Sequence, residues 1–453
     1  MSKLRLAIVG AGPAGIYAAD LIIKSELRDF DVSIDLFDLL PAPYGLVRYG
    51  VAPDHPRIKG IIRALYEVLD RGDIRFFGNV EYGKDIQLED LKKHYNAVIF
   101  STGAVRDADL NIPGIDLDGS FGAAAFVNWY DAHPDFERSW DLSATDIAVI
   151  GNGNVALDVA RVLAKPASLM LETDIPANVY KGLASSKATD IHVFGRRGPA
   201  QVKFSPLELR EAVHIEGVDT IVHDEDFQYD EGSQNAIDSN NQTRVMVKTL
   251  EELRGKETTG APRRLHLHFF SSPVEVLGTD GKVSGIKIER TELDGTGNVK
   301  PTGEFRQFPI QAIYRAVGYF GSELTEIPFD SKAGVIPNDK GRVLDSAGTH
   351  IKGVYATGWI KRGPVGLIGH TKSDAIETIA QIIDDKNNWW NPEHPEESSV
   401  TELLQDRKVE YVGWPNWLLI DAEEKRLGSL ENRERVKLVE RNDFMKVSRG
   451  DKV

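Results

Sequence analysis

The chain of 453 residues contains no cysteine. That absence removes disulfides, thiolate metal ligands, iron–sulfur ligation and any Cys-x-x-Cys redox pair. Any redox chemistry must therefore belong to a bound cofactor, and the sequence assigns no metal ligands. Long apolar runs are missing too, since none approaches the ~18 residues of a membrane-spanning helix. A first strand that begins at residue 4 leaves no signal peptide, so a cytoplasmic protein is expected. Positive charge is in deficit: 54 Lys and Arg face 69 Asp and Glu, for a formal charge of −15. This argues against general nucleic-acid binding, and an acidic partner would have to dock on a local basic patch. Hydrophobic residues at 41% and charged residues at 27% suit a soluble globular protein. The length exceeds the ~250–300 residues at which a single core stops growing, so two or more domains are expected.

What is present begins with Lys3 to Leu21, KLRLAIVGAGPAGIYAADL. A short apolar strand, Leu4 to Val9, runs into Gly10-Ala-Gly12-Pro-Ala14-Gly15, and a helix follows from Ile16. This is G-x-G-x-x-G in the strand–turn–helix context that gives the motif meaning. Gly10 permits the turn, Gly12 lets a pyrophosphate approach the backbone, and Gly15 lets helix and strand pack. The helix N-terminus offers N–H groups and positive dipole to phosphate. A second strand, Val32 to Phe37, ends in Asp38, where a ribose-binding acid is expected.

A second unit starts at Asp146. The strand DIAVI leads into Gly151-Asn152-Gly153-Asn154-Val155-Ala156 and a helix to Ala164. Its next strand ends Phe194-Gly195-Arg196-Arg197 in place of an acid. Two guanidinium groups suit a 2′-phosphate, so this turn reads as NADP-binding rather than NAD-binding; the alternative is that they coat a helix or meet another protein. Glu208 is either a nicotinamide-side acceptor or an ordinary first-turn helix acid. Between these landmarks, residues 39 to 60 form a proline-punctuated segment, residues 224 to 242 read as an exposed acidic loop, and Leu265 to Phe270 with Val283 to Glu289 read as a hairpin turning at Thr279 to Lys282. The tail from 384 shows little organisation. A helix expected from about Thr371 has that threonine as its cap.

These pieces match a family. GAGPAGIYAA, PYGLVRYGVAPDHPRIK, GNGNVALDVAR, GRRGPAQVKFSPLELRE and YATGWIKRGPVGLIGHTKSDA resemble the adrenodoxin-reductase-like ferredoxin–NADP reductases, especially the actinobacterial FprA type, from residue 4 to about 438. The resemblance implies an α/β fold of two Rossmann-like dinucleotide-binding domains, the NADP domain inserted into the FAD domain. The expected boundaries are 1–104 and 321–453 for FAD and 105–320 for NADP. It implies FAD contacts at Ala14, Asp38, Leu46, Val80, Trp359, Gly366, Leu367 and Ile368. It implies NADP contacts at Asn152, Gly153, Asn154, Val155, Arg196, Arg197, Glu208 and Gly366. The implied activity takes a hydride from NADPH onto FAD and releases electrons singly to a ferredoxin-type iron–sulfur protein, in a chain expected to be a monomer.

His55 in the PDHP loop and Glu211 are candidates for proton handling or for shaping the nicotinamide site. Asp158 is read as a solvated helix acid with a domain-bridging contact as the alternative. Arg210, Arg244 and Lys248 are the candidate dock for an acidic ferredoxin. Thioredoxin-reductase chemistry is excluded by the missing cysteines. An NADPH diaphorase or quinone reductase, a glutamate-synthase small-subunit-like donor and a nucleotide-sensing module without turnover stay open.

Overall fold

The computed structural model describes residues 3–365 and 368–453. Contact density divides the chain into two compact units. The first comprises residues 1–51, 55–106 and 319–453, and the second comprises 52–54 and 107–318. Apart from the brief excursion of residues 52–54, the chain leaves the first unit at residue 107 and returns at 319, which is the connectivity of a domain inserted into another.

The first unit is built on a seven-stranded sheet. Its parallel centre runs, in spatial order, His350–Ala356, Ala97–Phe100, Lys3–Val9, Asp31–Asp38 and Ile74–Gly78. Lys3–Val9 is buried at every position after Lys3, as a strand covered on both faces must be. Two short antiparallel strands, Arg342–Leu344 and Asn338–Asp339, finish one edge. Helix Pro13–Lys24 packs on helix Ile368–Asp384, so the C-terminal segment completes the layer begun by the first motif.

The second unit carries a six-stranded parallel sheet in the order Ser120–Gly122, Ala312–Arg315, Asp146–Ile150, Asp190–Phe194, Arg263–His268 and Val218–Val222. One face packs on helix Asn154–Ala164 and its neighbours, around Leu157, Val159, Leu209 and Leu265. On the other face Ile150, Phe194 and Ile313 meet Val276, Ile286 and Ile288 of a three-stranded antiparallel sheet. Both units are Rossmann-like, and the expected fold class holds.

Several local expectations fail for physical reasons. The hairpin at Thr279 to Lys282 joins Ser271–Thr279 to Lys282–Leu293, whereas Arg263–His268 lies in the parallel sheet. Alternation reveals a strand but not its partner. Residues 224 to 242 are not a loop. They contain helix Glu231–Ser239 and the start of helix Asn241–Glu251, capped by Asp230 and Asn240, whose carboxylate and amide oxygens accept from Ser233 N at 2.7 Å and Gln242 N at 2.9 Å. Polarity there marks caps rather than disorder. The tail is ordered as helices Glu397–Asp406, Trp414–Leu430 and Arg441–Ser448. Its buried anchor is Glu424, whose carboxylate accepts from Arg48 at 3.0 and 2.5 Å across 376 residues of sequence.

Candidate functional site

The first glycine turn is shaped by packing at two positions and left bare at the third. Gly10 has φ +110°, and a Cβ there would lie 2.5 Å from the Ser101 carbonyl oxygen. A Cβ on Gly15 would overlap the Gly10 oxygen and sit 2.7 Å from Ser101 Oγ. Gly12 has no such neighbour, its nearest being Gly45 Cα at 3.8 Å. It is also the N-cap of helix Pro13–Lys24 and provides no side-chain cap. An open cradle over uncapped helix N–H groups is what a pyrophosphate requires.

Asp38 ends the second strand beside this turn. Its Oδ2 accepts from Ala11 N at 2.7 Å and its Oδ1 from Leu40 N at 2.8 Å. Burial pushes the carboxyl up to about 6, against the pull of those two N–H groups. The acid therefore braces the turn's backbone, a role its position at a strand exit does not reveal. Val80 is buried and donates its N–H to Asp38 O at 2.9 Å. Leu46 is half-buried at the start of helix Leu46–Tyr49, just after Tyr44 N, which donates to Ala11 O at 2.8 Å.

The returning segment closes on the same turn. Gly358, with φ +76°, would place a Cβ 2.6 Å from Ala14 Cβ. Asp374 fixes this strand exit. It accepts from Thr357 Oγ1 at 3.0 Å and Gly358 N at 2.5 Å and pairs with buried Lys361 at 3.0 Å. Trp359 is half-buried at the start of helix Trp359–Arg362. Gly366 and Leu367 lie outside the described residues, as does the side chain of Ile368. The following helix begins at Ile368, so Thr371 lies within its first turn and is not its cap.

The second turn repeats the pattern in the other unit. Gly151 has φ +149°, and a Cβ would overlap the Ala316 oxygen. Gly153 has no atom within 4 Å of that position and is the uncapped N-cap of helix Asn154–Ala164. Asn154 Oδ1 accepts from Ser205 N at 2.9 Å, and Asn152 O from Lys203 N at 2.8 Å. These bonds hold the start of helix Pro206–Val213, and with it Glu208, against the turn. Val155 is half-buried in the first turn of the 154–164 helix. Strand Asp190–Phe194 exits through Gly195, where a Cβ would lie 2.5 Å from Asn152 Nδ2. Arg196 is exposed and Arg197 half-buried, and their carbonyls are tied down by Thr291 Oγ1 at 2.7 Å and Phe270 N at 3.2 Å. The backbone of both arginines is thereby fixed at the strand exit.

Residues 4–194 match the pyridine nucleotide-disulphide oxidoreductase family. NADPH-ferredoxin reductase FprA of Mycobacterium tuberculosis is 39% identical over 465 residues, spanning 99% of this chain and 100% of the relative. The mitochondrial NADPH:adrenodoxin oxidoreductase of Bos taurus is 35% identical over 461 residues, spanning 98% of this chain and 92% of the relative. The structure of Mycobacterium tuberculosis FprA in complex with NADPH superposes with a TM-score of 0.91 at 38% identity, spanning 99% and 100% of the two chains. The chain belongs to the adrenodoxin-reductase-like ferredoxin–NADP reductases.

In this reductase the second unit also holds a buried charge cluster that no local motif announces. Arg161, on the 154–164 helix, donates from Nε and Nη2 to Asp54 at 2.8 and 2.9 Å and pairs with Asp158 at 2.8 Å. Lys165 Nζ donates to Asp54 at 2.7 Å. Asp54 is desolvated, but Arg161 and Lys165 hold its carboxyl well below the usual range. Desolvation pushes Asp158 up to about 7, with Arg161 opposing and Asp54 reinforcing the rise. Asp158 is thus buried and ion-paired, which corrects the reading of a solvated helix acid. Desolvation also raises Glu208 and Glu211, the first buried at 3% exposure. His55 is 1% exposed, preceding helix Pro56–Lys59 in the first unit, while Glu211 lies in the second.

The candidate docking residues occupy two adjoining helices of the second unit, Pro206–Val213 and Asn241–Glu251. Arg210, Arg244 and Lys248 are all exposed. Arg244 and Lys248 stand one turn apart on one face, but Lys248 has Glu252 at 3.9 Å, which blunts its charge.

Proposed function

We propose that the first unit holds FAD against the Gly10–Gly15 turn, the second holds NADPH against the Gly151–Ala156 turn, and the enzyme delivers electrons to a ferredoxin-type iron–sulfur protein. The observation that carries the site assignment is the paired bareness of Gly12 and Gly153, each capping an uncapped helix with no packing reason for a missing side chain. FAD bound there supplies hydride acceptance and one-electron release, chemistry this cysteine-free chain has no side chain to perform.

The chain's own residues bind and orient. Asp38 holds the first turn in register through Ala11 and leaves acceptor capacity toward a ribose. Gly358 allows the returning strand to approach Ala14, with Asp374 and Lys361 locking it. Asn152 to Val155 present the second helix's N–H groups to a pyrophosphate, and Arg196 and Arg197 receive the 2′-phosphate through forked N–H donors. Glu208, buried and raised, offers a hydrogen-bond partner near that turn. His55 and Glu211 are the proton-handling candidates, His55 because it is buried and Glu211 because desolvation raises its carboxyl. Arg210, with Arg244 and Lys248, offers an acidic ferredoxin a basic face on an otherwise acidic chain. A monomer working in the cytoplasm completes the reading, and no described helix is long and apolar enough to cross a membrane.

The test is anaerobic titration of the purified yellow protein with NADPH and NADH, followed by cytochrome c reduction with and without ferredoxin. Rapid bleaching by NADPH and stimulation by ferredoxin are expected. Equal bleaching by NADH, or no stimulation by any ferredoxin of the same organism, would overturn the assignment.

A further inference from the structure

We infer that His192, His266 and His268 together form a binding site for one divalent transition-metal ion of the zinc type. Strand periodicity puts His266 and His268 on one face of Arg263–His268. The parallel register sets His266 directly opposite His192 on the neighbouring strand. One ligand atom from each of the three lies within 4.8 Å of the others. Three imidazoles are a donor set that suits zinc, with a fourth position left for water.

Two of the rings already converge. His192 Nδ1 and His268 Nε2 are 2.9 Å apart around a shared proton. Their centroids are 5.2 Å apart with planes within 24°, as for rings meeting edge to edge. A metal takes the place of that proton. At Zn–N distances of ~2.0–2.1 Å, tetrahedral nitrogens stand roughly 3.3–3.4 Å apart, so the rings separate by only a few tenths of an ångström. The change requires a tautomer shift in one ring and no net proton release. His266 stacks on His192 at 4.4 Å, and one of its nitrogens already lies within 4.8 Å of a nitrogen of each of the other two rings.

The surroundings favour coordination. His266 Nε2 bonds Asp190 Oδ1 at 2.9 Å, the carboxylate–histidine arrangement that fixes a ligand ring and leaves Nδ1 for the metal. Asp190 is itself held by Arg264 Nε at 2.6 Å. His268 is buried and His192 half-buried, surroundings that suit the neutral imidazole a metal ligand must be. A cavity of about 10 Å³ bordered by His268, Glu225, Asp226 and Ser271 has the space of roughly one water. Arg306 pairs with Glu225 and Arg290 with Asp226, so the nearby cations are neutralised. The bound ion would clamp together the two strands beneath Arg196 and Arg197.

The experiment is calorimetric titration of zinc chloride into the FAD-loaded full-length chain without a polyhistidine tag. One ion per chain is expected. His192→Asn and His266→Gln should each weaken binding at least roughly tenfold, and Asp190→Asn by about tenfold. No saturable binding, or binding unchanged in both histidine variants, overturns the site. Zinc-soaked crystals of the unmodified chain give a readout independent of variant folding. An anomalous peak among the three rings supports the site, and a map without one refutes it.

Discussion

Arg161 donates through two nitrogens to the two carboxylate oxygens of Asp54, at 2.8 and 2.9 Å, and both side chains are almost wholly buried. The pair joins the residue before His55 to the helix that carries the second nucleotide turn. A bidentate geometry is the strong form of such a contact, and removing one partner strands the other charge. Asp54→Ala should therefore destabilise the chain by about 3 kcal/mol, read as a lowered urea midpoint. An unchanged midpoint would mean that Asp158 alone satisfies Arg161.

The nucleotide preference follows from the strand exit. Replacing both Arg196 and Arg197 by alanine removes charge-assisted bonds of roughly 1.5–3 kcal/mol each. KM for NADPH should rise about a hundredfold or more while KM for NADH barely moves. Steady-state kinetics with both coenzymes checks this, and a retained NADPH preference refutes the 2′-phosphate assignment.

The glycines separate packing from binding. Gly10→Ala forces a Cβ to within 2.5 Å of the Ser101 oxygen at a positive φ and should prevent folding. Gly12→Ala meets no atom of the chain closer than 3.8 Å, so the protein should fold normally yet purify depleted of flavin. Gly153→Ala should likewise fold, keep its flavin and bind NADPH weakly. Flavin content by absorbance and secondary structure by circular dichroism distinguish the three outcomes.

Acid sensitivity follows from the neutral histidines. An unfolded histidine titrates near 6.5, whereas desolvation holds His192 at about 4 and His268 lower. As pH falls below 6.5 the unfolded chain takes up protons first. The stability present above 6.5 is therefore lost toward pH 4, at about 1.4 kcal/mol per pH unit for each ring. Asp158 works the other way, because its raised carboxyl favours the folded state as pH falls from about 7. Asp38, raised to about 6, acts in the same sense as Asp158, so the two aspartates oppose the two histidines and substitution isolates the histidine contribution. The environment includes Asp190, Arg264, His223, Glu225, Asp226, Arg290 and Arg306. His268→Gln should make the denaturation midpoint fall less, or rise more, between pH 7 and 4 than in the parent chain, and an identical pH profile would refute the histidine contribution.

Exposed basic residues act at long range and are screened by salt. Ferredoxin-dependent turnover should fall as salt rises over ~0.05–0.3 M, and Arg210→Glu should weaken that dependence while leaving direct NADPH oxidation by a small acceptor unchanged. Flat salt dependence would remove the electrostatic dock.

The two glycine turns, the strand ending in Asp38 and the paired arginines were legible in the sequence because a strand, a tight turn and a helix N-terminus are specified by neighbours within some ten residues. The lack of cysteine is read directly from the composition, and the insertion of one such unit into the other was implied by the family resemblance. Pairing over long separations was not. Which strand Ser271–Thr279 joins, that Asp38 braces Ala11, that Asp54 reaches Arg161 and Arg48 reaches Glu424, and that His192 stands opposite His266 all depend on register and burial. Desolvation then decides which of those side chains keep their charge, and only the packed tertiary structure sets it.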